Sequence, residues 1–262
     1  MIILAIDTVT DAVSVAIANG KKLLASAHVS SDRRHAELLA PMIKNVCNQA
    51  DISLREIDVV SVDVGPGLFT GMRVGIATAK TISQALDVPI VGVSSLDVLA
   101  RSVSTTERVV LATIDARRGE LYWAMYRNDS STCVEVKPPV VGMVSDCIVD
   151  LVDRGQATLI VGNGALRYQT AMAQSLEETG LSIEWASEQL AQPSANVLAL
   201  IAVERALLEK WQTAGELQAL YLRAPDAEIN WLTRSEQARF EQARFEQARF
   251  EQARFEQARF TT

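Results

Sequence analysis

Gly65-Pro66-Gly67-Leu68-Phe69-Thr70-Gly71-Met72-Arg73-Val74-Gly75 is the stretch on which the reading of this chain turns. Ahead of it runs Ile57-Asp58-Val59-Val60-Ser61-Val62-Asp63-Val64, β-branched and mostly apolar, the composition of a buried strand. Behind it, Met72 to Leu86 contains no proline and predicts a helix. A glycine-rich turn therefore joins a strand to a helix N-terminus. Such a turn can present backbone N–H groups to an anion. It can equally serve only to reverse the chain tightly, because glycine has no Cβ to obstruct close packing. Two common phosphate-binding patterns do not fit. No Lys-Ser or Lys-Thr follows Gly71, and the spacing G-x-G-x-x-x-G differs from the dinucleotide fingerprint G-x-G-x-x-G. The glycines alone assign no nucleotide.

Upstream, Met1 to Ile6 predicts an apolar strand ending at Asp7-Thr8. Ala12 to Ala18 predicts a second strand, Asn19-Gly20 a hairpin turn and Lys22 to Val29 a third strand. An Asp at the end of a first strand beside a hairpin is also how the actin/Hsp70/sugar-kinase superfamily begins, where it faces a nucleotide and its metal. Asp7 and Thr8 therefore carry two readings, a nucleotide-facing pair or a plain turn.

Asp32 is the expected N-cap of a helix from about Arg33 to Gln49. Leu39, Ile43, Val46, Cys47 and Ala50 form its apolar stripe, widened by Leu38 and Met42. The helix after the glycine turn has only one continuous polar strip, Arg73, Lys80 and Gln84. Gly75, Ala79, Ile82 and Leu86 lie on one side of it, and Val74, Thr78, Thr81 and Ala85 on another. One sheet covers one of these faces. The small residues Gly75 and Ala79 would let another helix approach, from a partner or from the same chain.

Downstream, Asp87-Val88-Pro89 ends that helix, Ile90 to Val93 predicts a strand, and Ser94 caps a helix through Ala100. The pattern then restarts. Arg108 to Asp115 and Glu120 to Arg127 read as strands around the turn Arg117-Arg118-Gly119, and Val134–Val136 and Val140–Val144 as weaker strands. Leu159 to Val161 leads into Gly162-Asn163-Gly164, again strand, glycine turn and helix. The two halves begin alike, which suggests a structural duplication. Ser194 caps a helix from Ala195 to about Leu208, before Tyr221-Leu222-Arg223. From Glu236 the pentamer Glu-Gln-Ala-Arg-Phe occurs five times, ending at Phe260. At helical pitch each Phe turns by roughly 140° from the last, so the rings make no single apolar face. The repeats read as a low-complexity extension outside the fold.

The 262 residues carry a net charge of −7, which argues against a chain that grips nucleic acid with its own basic surface. Cys47, Cys133 and Cys147 form no C-x-x-C pair and read as thiols in a reducing compartment. No basic leader precedes Ile2 and no apolar run is long enough to span a bilayer, so a cytoplasmic protein is expected.

Taken together, Ile6-Asp7-Thr8, the Gly65–Gly75 turn, Ser94-Ser95-Leu96-Asp97, Asp115-Ala116-Arg117 with Tyr122-Trp123, Pro193-Ser194-Ala195 and Tyr221-Leu222-Arg223 resemble the TsaB (YeaZ) family. These bacterial proteins are needed to make N6-threonylcarbamoyladenosine in tRNA. The resemblance covers about the first 225 residues and leaves out the repeats. It implies an α/β actin/Hsp70-like ATPase fold of two similar lobes, each a mixed β-sheet flanked by helices. The expected division is a first lobe over 1–102, completed by the helical segment 194–225, a smaller second lobe over 103–193, and the tail 226–262.

The family's catalytic paralogue, TsaD, is similar around the same turn but carries an H-x-x-x-H pair that holds its metal. Here Ser95 and Leu99 stand at those positions, and Leu cannot bind a metal. His28 and His35, the chain's two histidines, lie upstream, with His35 expected on the first helix as a surface or interface residue. The resemblance thus implies no catalytic residue, no metal and no tightly bound cofactor, but a subunit that pairs with TsaD and helps recruit the ATPase TsaE. ATP or ADP would sit at or near the TsaD interface, tRNA would be met only through the complex, and the chain alone would be a homodimer. The expected partner surface is Leu38, Met42, Arg73, Gly75, Ala79 and Ile82, with Asp7, Thr8, Gly65 and Gly67 as vestigial nucleotide-facing positions. The alternative is an enzyme in its own right, an actin-fold phosphotransferase using Asp7 or a glycoprotease-like peptidase.

Overall fold

The computed structural model describes residues 1–30, 34–103, 106–128 and 133–223. The expected cap Asp32 and the repeats lie outside the described residues. Met1–Leu222 form one unit.

The first sheet is built from β1 (Ile2–Asp7), β2 (Ala12–Asn19), β3 (Lys22–Ser30), β4 (Val59–Asp63) and β5 (Ile90–Val93), in the order β3-β2-β1-β4-β5. β1 pairs antiparallel with β2 and parallel with β4, so the sheet is mixed. β1, at its centre, and the neighbouring β2 are apolar on both faces, and alternate residues serve different cores. Leu4, Ile6, Val13 and Val15 point to α1 (His35–Ala50) and α2 (Phe69–Leu86). Ile3, Ala5, Ala16 and Ala18 point the other way, to α6 (Ala195–Leu207). The small side chains on that face let an all-round apolar helix lie close.

The second half repeats the plan. β6 (Val109–Arg117), β7 (Glu120–Asn128), β8 (Cys133–Met143), β9 (Thr158–Val161) and β10 (Ile183–Trp185) form a sheet in the order β10-β9-β6-β7-β8. The pairing directions match those of the first sheet strand for strand. α4 (Val144–Arg154) and α5 (Asn163–Leu176) cover one face through Cys147, Leu151, Ala165 and Met172. α3 (Ser95–Arg101) covers the other through Leu96, Leu99 and Ala100. The duplication is thus a matter of topology: each half runs three strands, helix, strand, helix, strand, helix.

The last helix of each half sits on the sheet of the other half. α3 ends the first half and packs on the second sheet, while α6 ends the second half and packs on the first. The two helices are joined by charge. Asp97 accepts from Arg205 Nη2 at 2.6 Å and Arg101 Nε at 3.1 Å, and Arg101 Nη1 reaches Glu204 Oε2 at 2.6 Å.

Three features differ from the sequence reading. The two weak strands are one, β8, because bulges opposite Trp123–Tyr126 absorb the break in alternation. α4 begins where the second of them was expected to end. β10 is only three residues long and was not anticipated. Among the described residues no helix is long and apolar enough to cross a membrane.

Candidate functional site

The turn between β4 and α2 lies against the loop after β1. Gly65 has φ +98°, a left-handed conformation that favours glycine. A Cβ at Gly67 would collide with the Val9 carbonyl, one at Gly71 with the Thr8 carbonyl, and one at Gly75 with Thr8 Oγ1. The N–H of Leu68 donates to Val9 O at 2.7 Å, and Thr8 Oγ1 donates to Gly71 O at 2.7 Å. The glycines therefore form a groove that this chain's own Thr8-Val9 segment occupies. Between the two readings of the turn, close packing is the one the structure bears out.

Two carboxyl groups are sealed beneath this contact. Asp7 is 2% exposed and accepts the Val9 N–H at 3.1 Å. Burial, and then the neighbouring Asp63, raise its pKa well above the usual carboxylate range. Asp63, 1% exposed at the end of β4, accepts the Gly65 N–H at 2.8 Å through Oδ1. Its Oδ2 has no hydrogen-bond partner. Burial pushes the Asp63 pKa up to about 7 against the opposing hydrogen bonds from Ser95 and Gly65, with Asp97 adding to the rise.

Ser95 Oγ lies 2.7 Å from Asp63 Oδ1 and 2.8 Å from Pro66 O. One hydroxyl hydrogen cannot serve two acceptors. Ionised, Asp63 takes that hydrogen; protonated, it could donate to Ser95 in turn and free the hydrogen for the Pro66 carbonyl.

Four expected nucleotide-facing residues, Asp7, Thr8, Gly65 and Gly67, are thus brought together, but three of them are buried and Gly67 half-buried under Val9. The crevice between the two sheets is lined instead by their neighbours Val9, Thr10, Asp11 and Leu68, facing Asp115, Arg117 and Arg167. Its volume is about 160 Å³. Asp115 lies two residues before the end of β6, much as Asp7 ends β1, yet its surroundings are cationic: Arg167 Nη1 at 3.4 Å and Arg117 Nε at 3.8 Å. Arg117 also reaches Asp11 of the first half, Nη2 to Oδ2 at 3.3 Å.

The expected partner residues divide. Met42 is 7% exposed, Ala79 is fully buried, and Gly75 packs on Thr8, so these three belong to the chain's own core. The reason is the entry of the β1–β2 loop, which turns the glycine side of α2 inward. Leu38 and Ile82 are half-buried against the same core. Arg73 is exposed, as expected. The outward faces are Ala36, Ala40, Pro41 and Lys44 of α1 and Ala77, Thr81 and Ala85 of α2.

His35 is 3% exposed rather than on the surface, its Nε2–H donating to Thr10 O at 2.7 Å. Ser95 and Leu99 are fully buried in α3. Among the described residues no three His, Cys, Asp or Glu side chains converge as a metal-binding group. Sequence reasoning missed Asp63, whose signal was a lone acid in an apolar strand, and the contact of Arg73 with Tyr221, which left no local signal.

Over residues 23–231 the chain matches the family described as TsaD, tRNA N6-adenosine threonylcarbamoyltransferase. It is 28% identical to the tRNA threonylcarbamoyladenosine biosynthesis protein TsaB of Bacillus subtilis, over 88% of this chain and 98% of that protein. Against Escherichia coli TsaB the identity is 39%, over 50% of this chain and 57% of the relative. The solved structure of YeaZ from Pseudomonas aeruginosa is 26% identical and superposes with a TM-score of 0.70, covering 84% of this chain and 99% of that one. With two five-stranded sheets of like order and these likenesses over most of its folded length, the chain belongs to the TsaB (YeaZ) family of tRNA threonylcarbamoyladenosine biosynthesis.

Proposed function

We propose that the chain is a non-catalytic subunit of the threonylcarbamoyladenosine machinery, working in the cytoplasm, where it pairs with TsaD, supports transfer to tRNA and helps recruit TsaE. The observation that carries this reading is the burial of Ser95 and Leu99. The resemblance places TsaD's metal ligands at these two positions, and here one is tied to Asp63 and Pro66 while the other fills the core. The outward faces of α1 and α2, rich in alanine, offer a surface another helix pair can approach. On this reading the chain alone forms a homodimer through the face that TsaD takes, and such a self-complementary patch gives a two-fold pair. No cofactor is tightly bound. ATP or ADP would act at or near the TsaD interface, and the crevice between the two sheets, at about 160 Å³, is smaller than the roughly 300–1,000 Å³ usual for ligand pockets.

The alternative, a phosphotransferase using Asp7, requires that carboxylate to meet substrate, and it is sealed under Val9. The test is reconstitution. TsaD from the same source is supplied with threonylcarbamoyl-adenylate and tRNA, with and without this chain. The chain alone should transfer nothing and hold no stoichiometric zinc or iron, and its addition should raise the rate of TsaD. Transfer by the chain alone, or no effect on TsaD, would overturn the proposal.

A further inference from the structure

At the start of α2 an arginine is held in an unusual way. The Arg73 guanidinium lies 3.8 Å above the centroid of the Phe69 ring and 5.9 Å from that of Tyr221. Its Nε donates to the Tyr221 hydroxyl at 3.1 Å. The two rings are 5.5 Å apart and inclined by 39°, so the guanidinium is braced by its neighbour Phe69 and by Tyr221, 148 residues further along the chain. Arg101, Arg108, Arg117, Arg167 and Arg205 each sit beside a carboxylate. Among the described residues Arg73 has no ion pair and its two terminal nitrogens have no hydrogen-bond partner, on a chain of net charge −7. The Tyr221 hydroxyl accepts from Arg73, so its own hydrogen is free to donate. Tyr221 is 46% exposed.

We propose that Arg73, braced by Phe69 and Tyr221, is the anchor at which an aspartate or glutamate of the partner protein docks. The inference rests on the pairing proposed above and names the residue that dominates it. Arg73 begins the exposed strip Arg73, Ala77, Thr81 of α2, spaced four residues apart along one face. Alanine and threonine give that strip shape but little energy. Binding energy at interfaces concentrates in Arg, Tyr and Trp. A guanidinium already stacked and hydrogen-bonded loses less freedom on binding than a free side chain. The occupant is a carboxylate rather than a nucleic-acid backbone. A single fork matches one carboxylate with two parallel hydrogen bonds, whereas a polyanion would meet a chain of net negative charge.

The test measures the affinity of the full chain for purified TsaD by sedimentation at low and high salt, for the parent, Arg73→Lys, Arg73→Glu, Tyr221→Phe and Ala77→Arg. Arg73→Glu should weaken binding at least a hundredfold. Arg73→Lys, which keeps the charge and loses the fork and the stacking, should weaken it about tenfold, and Tyr221→Phe a few-fold. The salt dependence of the parent should be lost in Arg73→Glu. Melting temperatures equal to the parent's keep these losses from being misread as unfolding. If Ala77→Arg abolishes binding while all the Arg73 and Tyr221 variants bind as the parent does, the helix face is the partner site and the anchor is refuted. If every variant binds as the parent does, the pairing stands but the anchor is refuted and the interface lies elsewhere; if the parent itself does not bind, the proposed pairing falls as well.

Discussion

Replacing Asp63 by Asn tests whether the acid beneath the glycine turn is neutral. In the unfolded chain this carboxyl ionises near 3.8, whereas in the fold it holds its proton to about 7. Between those values the folded state binds more protons than the unfolded one, so stability falls as pH rises and levels off above 7. Once ionised, the buried carboxylate costs about 4 kcal/mol. Asparagine mimics the protonated acid: its amide can donate to Ser95 or Pro66, its oxygen can accept from Gly65, and it cannot ionise. The variant should therefore be more stable than the parent by roughly 1–4 kcal/mol at pH 8, with the gain shrinking toward zero near pH 4. For a fold of this size that is a rise in melting temperature of roughly 2–15 °C at pH 8. Urea unfolding at pH 4, 6 and 8 measures it. If Asp63→Asn is destabilised, and equally so at each pH, the ionised carboxylate is the native partner of Ser95 and the proton count made here is wrong.

Two further expectations follow from burial and composition. Ala79→Arg should unfold the chain rather than merely block a partner, because it places an unpaired guanidinium at a fully buried site. A loss above about 4 kcal/mol in urea unfolding is expected, and a variant that melts like the parent would return Ala79 to the surface. Truncation after Arg234 should leave the melting temperature within about 2 °C of the parent's, on the order of half a kcal/mol, because the five Phe residues of the repeats share no face. A drop of many degrees would show that they pack.

Local patterns made the frame legible. Asn19-Gly20 marks the first hairpin, and glycine turns follow β4 and β9 alike, so the duplication could be read from the order of signals. What was not legible depends on contacts far apart in the chain. Both sides of α2 are apolar or small, and only the arrival of Thr8 decides that Gly75 and Ala79 face inward. His35 looks like an exposed helical residue until the Thr10 carbonyl meets it. Ser95 was singled out as a lost metal ligand, and its actual role, bridging Asp63 to Pro66, needed three segments to be brought together. The face of a helix that neighbours choose is not written in its own period.

The exchange of α3 and α6 between the halves has a consequence for how the chain is made. The Ile3, Ala5, Ala16 and Ala18 face of the first sheet is closed only by α6. The Ser14 hydroxyl waits for the N–H of Ala195, 181 residues later. At a synthesis rate of about 5–20 residues per second that interval is roughly 10–40 s. The first half therefore leaves the ribosome with an apolar sheet face in water, and contacts of such long range slow its closure further. Nascent chains ending before residue 195 should bind chaperones that hold exposed apolar surface, and the two halves, although built alike, should fold as one event only when synthesis has passed α6.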